Sequence, residues 1–128
     1  MTIAEVSRKY EISADTLRYY ERIGLIPPVP RNKSGIRNYD EASCQWIELM
    51  ICMRKAGVQI EALVEYVELF QQGDATIDAR KEILIEQRER LTAKMNEMQA
   101  SLDRLKINGY EKVLAAERQL LNRRKEKK

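Results

Sequence analysis

The sequence predicts a mainly α-helical fold in which a winged helix-turn-helix domain is followed by a long coiled-coil helix. Three observations lead to this fold class. Two short helices with their own capping residues follow one another within residues 1–23. A turn sequence rich in basic residues then lies at 29–40, and a seven-residue apolar repeat occupies 77–105. Such a repeat is typical of a coiled coil rather than of a single globular helix.

The first two helices are indicated by their amino-terminal caps. Thr2 followed by Glu5 has the spacing of a capping box, and the predicted helix runs to about residue 9. Ser13 is a second cap candidate, with Asp15 placed favourably in the first turn of the next helix. Two short helices this close form a helix-turn-helix. Its second helix would be the recognition helix and would carry Thr16, Arg18, Tyr19 and Tyr20.

The stretch "TLRYYERIGLIPP" places two adjacent tyrosines between two arginines. Successive residues of a helix are turned by about 100°, so at most one of Tyr19 and Tyr20 can face the core squarely. An exposed tyrosine beside arginines favours a binding surface, although both rings could instead belong to the core. Gly24 ends this helix, and three prolines at 27–30 prevent its continuation.

The next stretch, "VPRNKSGIRNYD", predicts a hairpin that serves as a wing. Its turn lies at 32–35 and is flanked by residues able to pair as short strands. Arg31, Lys33 and Arg37 lie within seven residues with no acidic residue among them. This arrangement suits phosphate contacts. A solvated turn without a ligand is the alternative.

Two further helices complete the predicted amino-terminal domain. Asp40 can cap the third helix, which ends near Gly57, and a fourth helix spans about residues 60–72. At helical spacing, one stripe of the third helix is apolar and is predicted to face the core. It consists of Ala42, Trp46, Leu49, Met50 and Met53.

The carboxy-terminal part carries a heptad pattern in a segment rich in Glu, Lys, Arg and Gln. The repeat consists of Ile77, Leu84, Leu91, Met98 and Leu105. Lys81 and Arg88 interrupt the second seam, so a single helix would be poorly buried and pairing with a second chain is favoured over an intramolecular hairpin. Gly109 is expected to break the helix before a last amphipathic helix. The terminal "RRKEKK" is expected to be a disordered solubilising end rather than a DNA arm.

Charge and composition exclude several classes of protein. The net charge is +3, but residues 1–39 carry +3, residues 123–128 carry +4 and the remainder carries −4. Positive ends suit a polyanionic partner. No segment reaches the roughly 18 apolar residues of a membrane span, and no signal pattern opens the chain, so a cytoplasmic protein without a membrane partner is expected. With no histidine and only two cysteines, neither a metal site, another cofactor nor an enzyme is expected.

With these motifs in hand, the chain resembles the MerR family of bacterial transcription regulators from Thr2 to about Leu105. The most specific matches are "TLRYYERIGLIPP" and "SGIRNYD", in this order and at this spacing. The resemblance implies a DNA-binding domain at 1–73, an antiparallel dimerisation coiled coil at 74–107, and a short helix with a basic tail at 108–128. It also implies a homodimer on double-stranded promoter DNA, which distorts the promoter and so acts on RNA polymerase indirectly.

The resemblance also implies roles for individual residues. Thr16, Arg18 and Tyr19 would contact phosphates and base edges, and Tyr20 is similarly placed but could pack inward. Arg31 and Arg37 correspond to the wing arginines, with Lys33 between them. Tyr39 would close the wing onto the domain and could touch the DNA backbone.

Cys52, in "CMRKAG", resembles the cysteine of the thiol-based subgroup that answers to aldehydes and other carbonyl electrophiles. Helical projection places Cys52 among polar residues and Cys44 beside Ile47, so Cys52 is the predicted sensor and Cys44 a packing residue. Metal sensing is not implied, because no cysteine follows Cys52. The alternatives are an inert Cys52 in a ligand-independent repressor or architectural DNA-binding protein, and a thiol enzyme, which lacks a candidate base.

Overall fold

The computed structural model describes residues 1–126, except for the side chains of 107–109 and 125–126. Within these residues the secondary structure is helical, as the sequence predicts. The helices are α1 (Ile3–Tyr10), α2 (Ala14–Arg22), α3 (Glu41–Lys55), α4 (Ile60–Gln71), α5 (Ile77–Leu105) and α6 (Ile107–Glu126), with a 3-10 turn at Asp74–Thr76 between α4 and α5. None of these helices is both long and apolar enough to cross a membrane.

The chain divides into two compact units, Met1–Arg88 and a second unit that begins at Glu89. The first unit therefore contains α1 to α4 and the beginning of α5. Its core is formed by apolar side chains from each of the first four helices and from the segments that join α2 to α3 and α3 to α4. The most deeply buried are Val6, Leu17, Leu25, Ile26, Tyr39, Ile47, Met50, Val58 and Val67.

The predicted amino-terminal caps are confirmed. The Thr2 hydroxyl accepts a hydrogen bond from the Glu5 amide at 3.2 Å, and the Glu5 carboxylate accepts one from the Thr2 amide at 3.4 Å, which completes the capping box. Asp40 caps α3 by accepting a hydrogen bond from the Ser43 amide at 2.8 Å. This hydrogen bond lowers the pKa of the Asp40 carboxyl. Each cap satisfies an amide that has no partner inside its helix.

The predicted core face of α3 is wrong. The structure buries Ser43, Cys44, Ile47 and Met50, whereas Leu49 is 41% exposed and Ala42 is exposed. Of the predicted stripe only Met50 is fully buried. The helix is apolar on two sides, so periodicity alone could not select the side that meets the core.

The second apolar side of α3 packs on α4 through an aromatic cluster. The ring centroids of Trp46 and Phe70 are 4.9 Å apart in an edge-on arrangement, and those of Trp46 and Tyr66 are 6.2 Å apart. The guanidinium of Arg80, in α5, lies 5.5 Å from the Phe70 centroid. Trp46 is therefore half-buried between helices rather than enclosed in the central core.

The revised face of α3 leads to a stability prediction. Ile47→Ala should lower the free energy of unfolding by about 2–5 kcal/mol, because the side chain is completely buried and its truncation leaves a cavity. Leu49→Ala is the matched control and should cost less than about 1 kcal/mol, because much of its side chain is already in water. Urea unfolding followed by circular dichroism measures both. Equal losses, or a larger loss for Leu49→Ala, would restore the original assignment.

Helix α5 is continuous through the predicted heptad segment, but the next break lies at Lys106 rather than at Gly109. The Tyr110 amide donates to the Lys106 carbonyl at 2.9 Å, so α6 passes through Gly109. A glycine within a helix costs about 1 kcal/mol and is tolerated. Most heptad side chains are more than half exposed: Ile77, Leu84, Met98 and Leu105. Of the terminal basic stretch, Lys127 and Lys128 lie outside the described residues.

Candidate nucleic-acid interface

Helix α2 is fixed to the domain by its inner face and its cap. Leu17 is completely buried. The Thr16 amide donates to Ser13 Oγ at 3.0 Å, and the hydroxyls of Ser13 and Thr16 lie 2.7 Å apart. The Thr16 side chain therefore takes part in the cap, which places it at the amino-terminal end of the helix, where backbone amides attract anions.

The turn between α1 and α2 has a defined conformation that sequence reasoning missed. Glu11 adopts a left-handed conformation, with φ 54°. Ser7 holds the turn by two hydrogen bonds with Ile12: its hydroxyl donates to the Ile12 carbonyl at 2.6 Å, and its carbonyl accepts from the Ile12 amide at 3.1 Å. A left-handed residue other than glycine is uncommon, and no glycine marks this turn in the sequence.

The outer face of α2 presents an aromatic side chain and two arginines. Tyr19 is 42% exposed, and the Arg22 guanidinium lies 5.3 Å from its ring centroid. Arg18 Nη1 contacts Asp15 Oδ1 at 2.9 Å, and both side chains are well exposed. An exposed ion pair of this kind contributes little to stability, so Arg18 can exchange Asp15 for a phosphate or a base at small cost.

The two neighbouring tyrosines lie in different environments. Tyr20 is half-buried, unlike the exposed Tyr19, and lines a groove of about 340 Å³ between α1, α2 and α3. Tyr10, Ile12, and Ile51 share this groove. The position of Tyr20 agrees with the inward packing that the sequence left open, and Tyr19 is the tyrosine available on the outer face.

The wing is a turn with one bridge rather than a pair of strands. Residues 31 and 37 form an isolated antiparallel bridge, and no strand occurs within residues 1–126. The prediction of two short paired strands in the wing is therefore wrong. The Asn32 side chain accepts hydrogen bonds from the amides of Ser34 at 2.9 Å and Ile36 at 3.0 Å. Because these amides are satisfied by a side chain, the loop is held without an extended ladder.

The three basic residues of the wing are held differently. Arg31 and Lys33 are exposed, and Arg31 Nη1 donates to the Gly35 carbonyl at 3.0 Å. The side chain of Arg37 is only 25% exposed, because its Nε contacts Glu21 Oε1 of α2 at 2.6 Å. The wing therefore combines two exposed cations with a third, Arg37, that is held against α2.

Glu21 is a site residue that sequence reasoning missed. Its second carboxylate oxygen, Oε2, accepts a hydrogen bond from the Val29 amide at 2.7 Å. Burial alone would raise the pKa of Glu21, but the hydrogen bonds from Arg37 and from the Val29 amide outweigh it and lower this pKa. The carboxylate is therefore charged near neutral pH. No feature of the sequence identifies this role, because Glu21 is far from Arg37 in the chain and resembles any glutamate on the surface of a helix.

Tyr39 is enclosed where the wing returns to the domain. Its side chain is 1% exposed, and its hydroxyl has no hydrogen-bond partner within the described residues. Burial raises the pKa of this hydroxyl. The backbone is fixed as well, since the Tyr39 amide donates to the Met1 carbonyl and the Tyr39 carbonyl accepts from the Met1 amino group, both at 2.8 Å. This position suits closure of the wing onto the domain.

The two cysteines of α3 differ in exposure. Cys44 is buried, whereas Cys52 is exposed and lines a groove of about 430 Å³ between α1 and α3. The groove also includes Lys9 and Lys55. Tyr10 Oη donates to Glu48 Oε1 at 2.8 Å across the two helices. Burial and this hydrogen bond both raise the pKa of Tyr10.

Comparisons with known proteins all indicate the same family. The model of the MerR HTH family regulatory proteins matches residues 1–69. The HTH-type transcriptional regulator AdhR of Bacillus subtilis (strain 168) is 58% identical over 91 residues. That match covers 71% of this chain and 65% of AdhR, so the chain spans less than two thirds of the length of this relative.

Solved structures extend the similarity over the whole chain. A MerR family transcriptional regulator from Listeria monocytogenes is 44% identical, with a TM-score of 0.82, over 100% of this chain and 99% of that one. HiNmlR, described as a MerR family regulator lacking the sensor domain and bound to promoter DNA, is 32% identical with a TM-score of 0.76. Its match covers 89% of this chain and 92% of HiNmlR.

Proposed function

Because the chain belongs to the MerR family of helix-turn-helix transcription regulators, we propose that it binds promoter DNA as a homodimer and answers to electrophiles through Cys52. One observation carries the DNA-binding part. Exposed Arg18 and Tyr19 on α2 accompany exposed Arg31 and Lys33 on a wing that Glu21 ties to the same helix. The solved promoter complex of HiNmlR, a relative over most of the chain, supports this part.

The proposed contacts fall into two groups. From α2, Arg18 and Tyr19 reach base edges and the backbone in the major groove, while Thr16 offers the amino-terminal end of the helix to a phosphate. From the wing, Arg31, Lys33 and Arg37 contact phosphates. Two residues support these contacts from within the domain, Tyr20 on the inner side of the recognition helix and Tyr39 at the base of the wing.

The proposed dimer forms through residues 77–105. Exposed apolar side chains at seven-residue intervals need a partner, and a second copy of the same helix supplies an identical seam. The repeat is symmetric about Leu91, so antiparallel pairing places Leu84 of one protomer near Met98 of its partner. Two recognition helices are then separated by a stiff spacer, as binding to two half-sites requires.

Activation is proposed to occur through the shape of the promoter. A dimer that bends and untwists its operator changes the relative positions of the two promoter elements, and RNA polymerase is affected without direct contact. Smooth bending of such a site costs about 1–6 kcal/mol. The phosphate contacts of α2 and of the wing must offset this cost. A rigid connection between α2 and the wing is required for these contacts to bend the DNA.

The proposed signal is modification of Cys52. Its thiol is exposed on α3 and lines the groove between α3 and α1, which is the first helix of the helix-turn-helix. An adduct at this position would lie beside the contacts that orient α2. The resemblance to the thiol-based subgroup supports carbonyl electrophiles as the inducers, and genes for their detoxification as targets.

The proposed DNA contacts predict two distinct mutant behaviours. Operator fragments are first selected from genomic DNA with the wild-type protein. Arg18→Ala should weaken binding to the selected operator by about 1–3 kcal/mol and relax its sequence preference, because a base contact is lost. Lys33→Ala should weaken binding to all sequences similarly and reduce the slope of log K against log salt by about 1.

The control variant for this experiment is Lys112→Ala, which removes an exposed cation of α6 outside the proposed interface. Fluorescence anisotropy over a range of salt concentrations measures all three variants. The proposed function would fail if the wild type showed no sequence preference. The residue assignments would fail if Lys112→Ala matched the other two.

A further inference from the structure

One carboxylate joins the recognition helix to both sides of the wing. Glu21 lies in the last turn of α2. Its Oε2 accepts from the Val29 amide at 2.7 Å, on the segment that enters the wing. Its Oε1 accepts from Arg37 Nε at 2.6 Å, on the segment that leaves the wing. The two segments are thus held by a single side chain from a third element.

The burial of the Glu21–Arg37 ion pair distinguishes it from the Asp15–Arg18 ion pair on the same proposed DNA-binding face. The side chains of Glu21 and Arg37 are 14% and 25% exposed, whereas those of Asp15 and Arg18 are largely in water. An exposed pair is screened and exchanges readily with solvent. A largely buried carboxylate that accepts two short hydrogen bonds is difficult to replace, because its removal leaves a buried amide and a cation without partners.

We propose that Glu21 is a positioning residue that joins α2 and the wing into one DNA-reading unit and acts on DNA through Arg37. The inference rests on the proposed DNA binding. Glu21 itself carries the wrong charge to contact a phosphate, so its effect must be indirect. The Arg37 guanidinium gives its Nε–H to Glu21 and retains the four N–H donors of Nη1 and Nη2 for a phosphate.

This connection matters because a regulator that deforms DNA must hold two contact regions at a fixed separation. If the wing could move independently of α2, the DNA would relax by moving the wing rather than by bending. Pre-ordering Arg37 also removes the entropic cost of immobilising a long side chain when DNA binds. Glu21 therefore contributes affinity and mechanical coupling without touching the DNA.

The first test uses the protein without DNA. In Glu21→Ala, amide hydrogen exchange at Val29 should accelerate about tenfold or more, because its acceptor is lost. The internal control is the Leu17 amide, which donates to the Ser13 carbonyl at 3.1 Å and should not change. Glu21→Gln retains an acceptor oxygen and should preserve much of the Val29 protection. An unchanged Val29 rate in Glu21→Ala would overturn the proposed connection.

The second test is a double-mutant cycle on the selected operator. Glu21→Gln should weaken binding about tenfold, because a charge-assisted hydrogen bond to Arg37 is lost. In an Arg37→Ala background the same change should weaken binding less than about twofold, since the residue through which it acts is absent. The slope of log K against log salt should fall by about 1, the value of one phosphate contact, in both Glu21→Gln and Arg37→Ala.

The outcomes separate this inference from the proposed function. Equal losses for Glu21→Gln in both backgrounds would mean that Glu21 acts elsewhere, for example on folding, and would overturn the inference while DNA binding stands. A wild-type protein that binds no DNA would end the proposed function. In that case the exchange rates of Val29 in the three proteins still decide whether Glu21 connects the helix and the wing.

Discussion

Met98→Asp is expected to convert the protein to a monomer and to weaken operator binding by a factor of about 100 or more. Met98 is 69% exposed in the single chain and lies in the seven-residue repeat of α5. A carboxylate there would be buried against an apolar partner, which costs several kcal/mol. Loss of the dimer separates the two half-site contacts, whose linkage contributes a factor of about 10²–10⁴ to affinity.

Ala100→Asp is the matched control for the dimer. It introduces the same charge on the same helix, two residues away and on the opposite side from the repeat. Ala100→Asp should leave the dimeric mass and the affinity for the operator unchanged. Sedimentation equilibrium gives the mass and anisotropy gives the affinity. The dimer proposal fails if Met98→Asp remains dimeric, or if the wild type is already monomeric at concentrations that saturate the operator.

Cys52→Ser is expected to bind the operator as well as the wild type does and to lose the response to electrophiles. The side chain is exposed, so replacing sulfur by oxygen should not disturb the core. A serine hydroxyl is far less nucleophilic than a thiolate at neutral pH, and no adduct should form. If modification induces the wild type about tenfold, the mutant loses a shift of about 1.4 kcal/mol between its two promoter-bound states.

The response is measured by transcription in vitro from the selected promoter, with and without an aldehyde. Mass spectrometry of the same samples reports modification at each cysteine. Cys44→Ala is the control, because Cys44 is buried and should be neither modified nor required. Retention of the response in Cys52→Ser would leave the DNA-binding function intact, show that Cys52 is not the sensor, and place the signal elsewhere.

The local elements of the fold were predictable because each depends on residues close together in sequence. The capping box at Thr2 and Glu5, the cap at Asp40, and the continuous helix over 77–105 all follow from interactions within a few positions. The same is true of the basic residues of the wing, whereas helical geometry left open which of Tyr19 and Tyr20 is exposed. Local hydrogen bonding and periodicity specify such features without knowledge of the rest of the chain.

Features that depend on contacts between distant segments were missed or misassigned. Periodicity left two apolar sides of α3 as candidates, and only the folded domain shows that Ile47 is buried and Leu49 is not. The wing needed no strands because the side chain of Asn32 satisfied its amides. The burial of Tyr39 likewise required the wing and the amino terminus to meet.

The helix-turn-helix, the basic wing and the long heptad helix follow from patterns that are local in the sequence, and the resemblance of two motifs to the MerR family adds the role of a regulator. Which cations are fixed and which are exposed depends instead on contacts between segments that are distant in the sequence. Glu21 and Arg37 are 16 positions apart and meet at 2.6 Å only after the chain turns at Gly24 and returns through the wing. A buried ion pair is a property of that folded path, because burial excludes the water that would otherwise screen it.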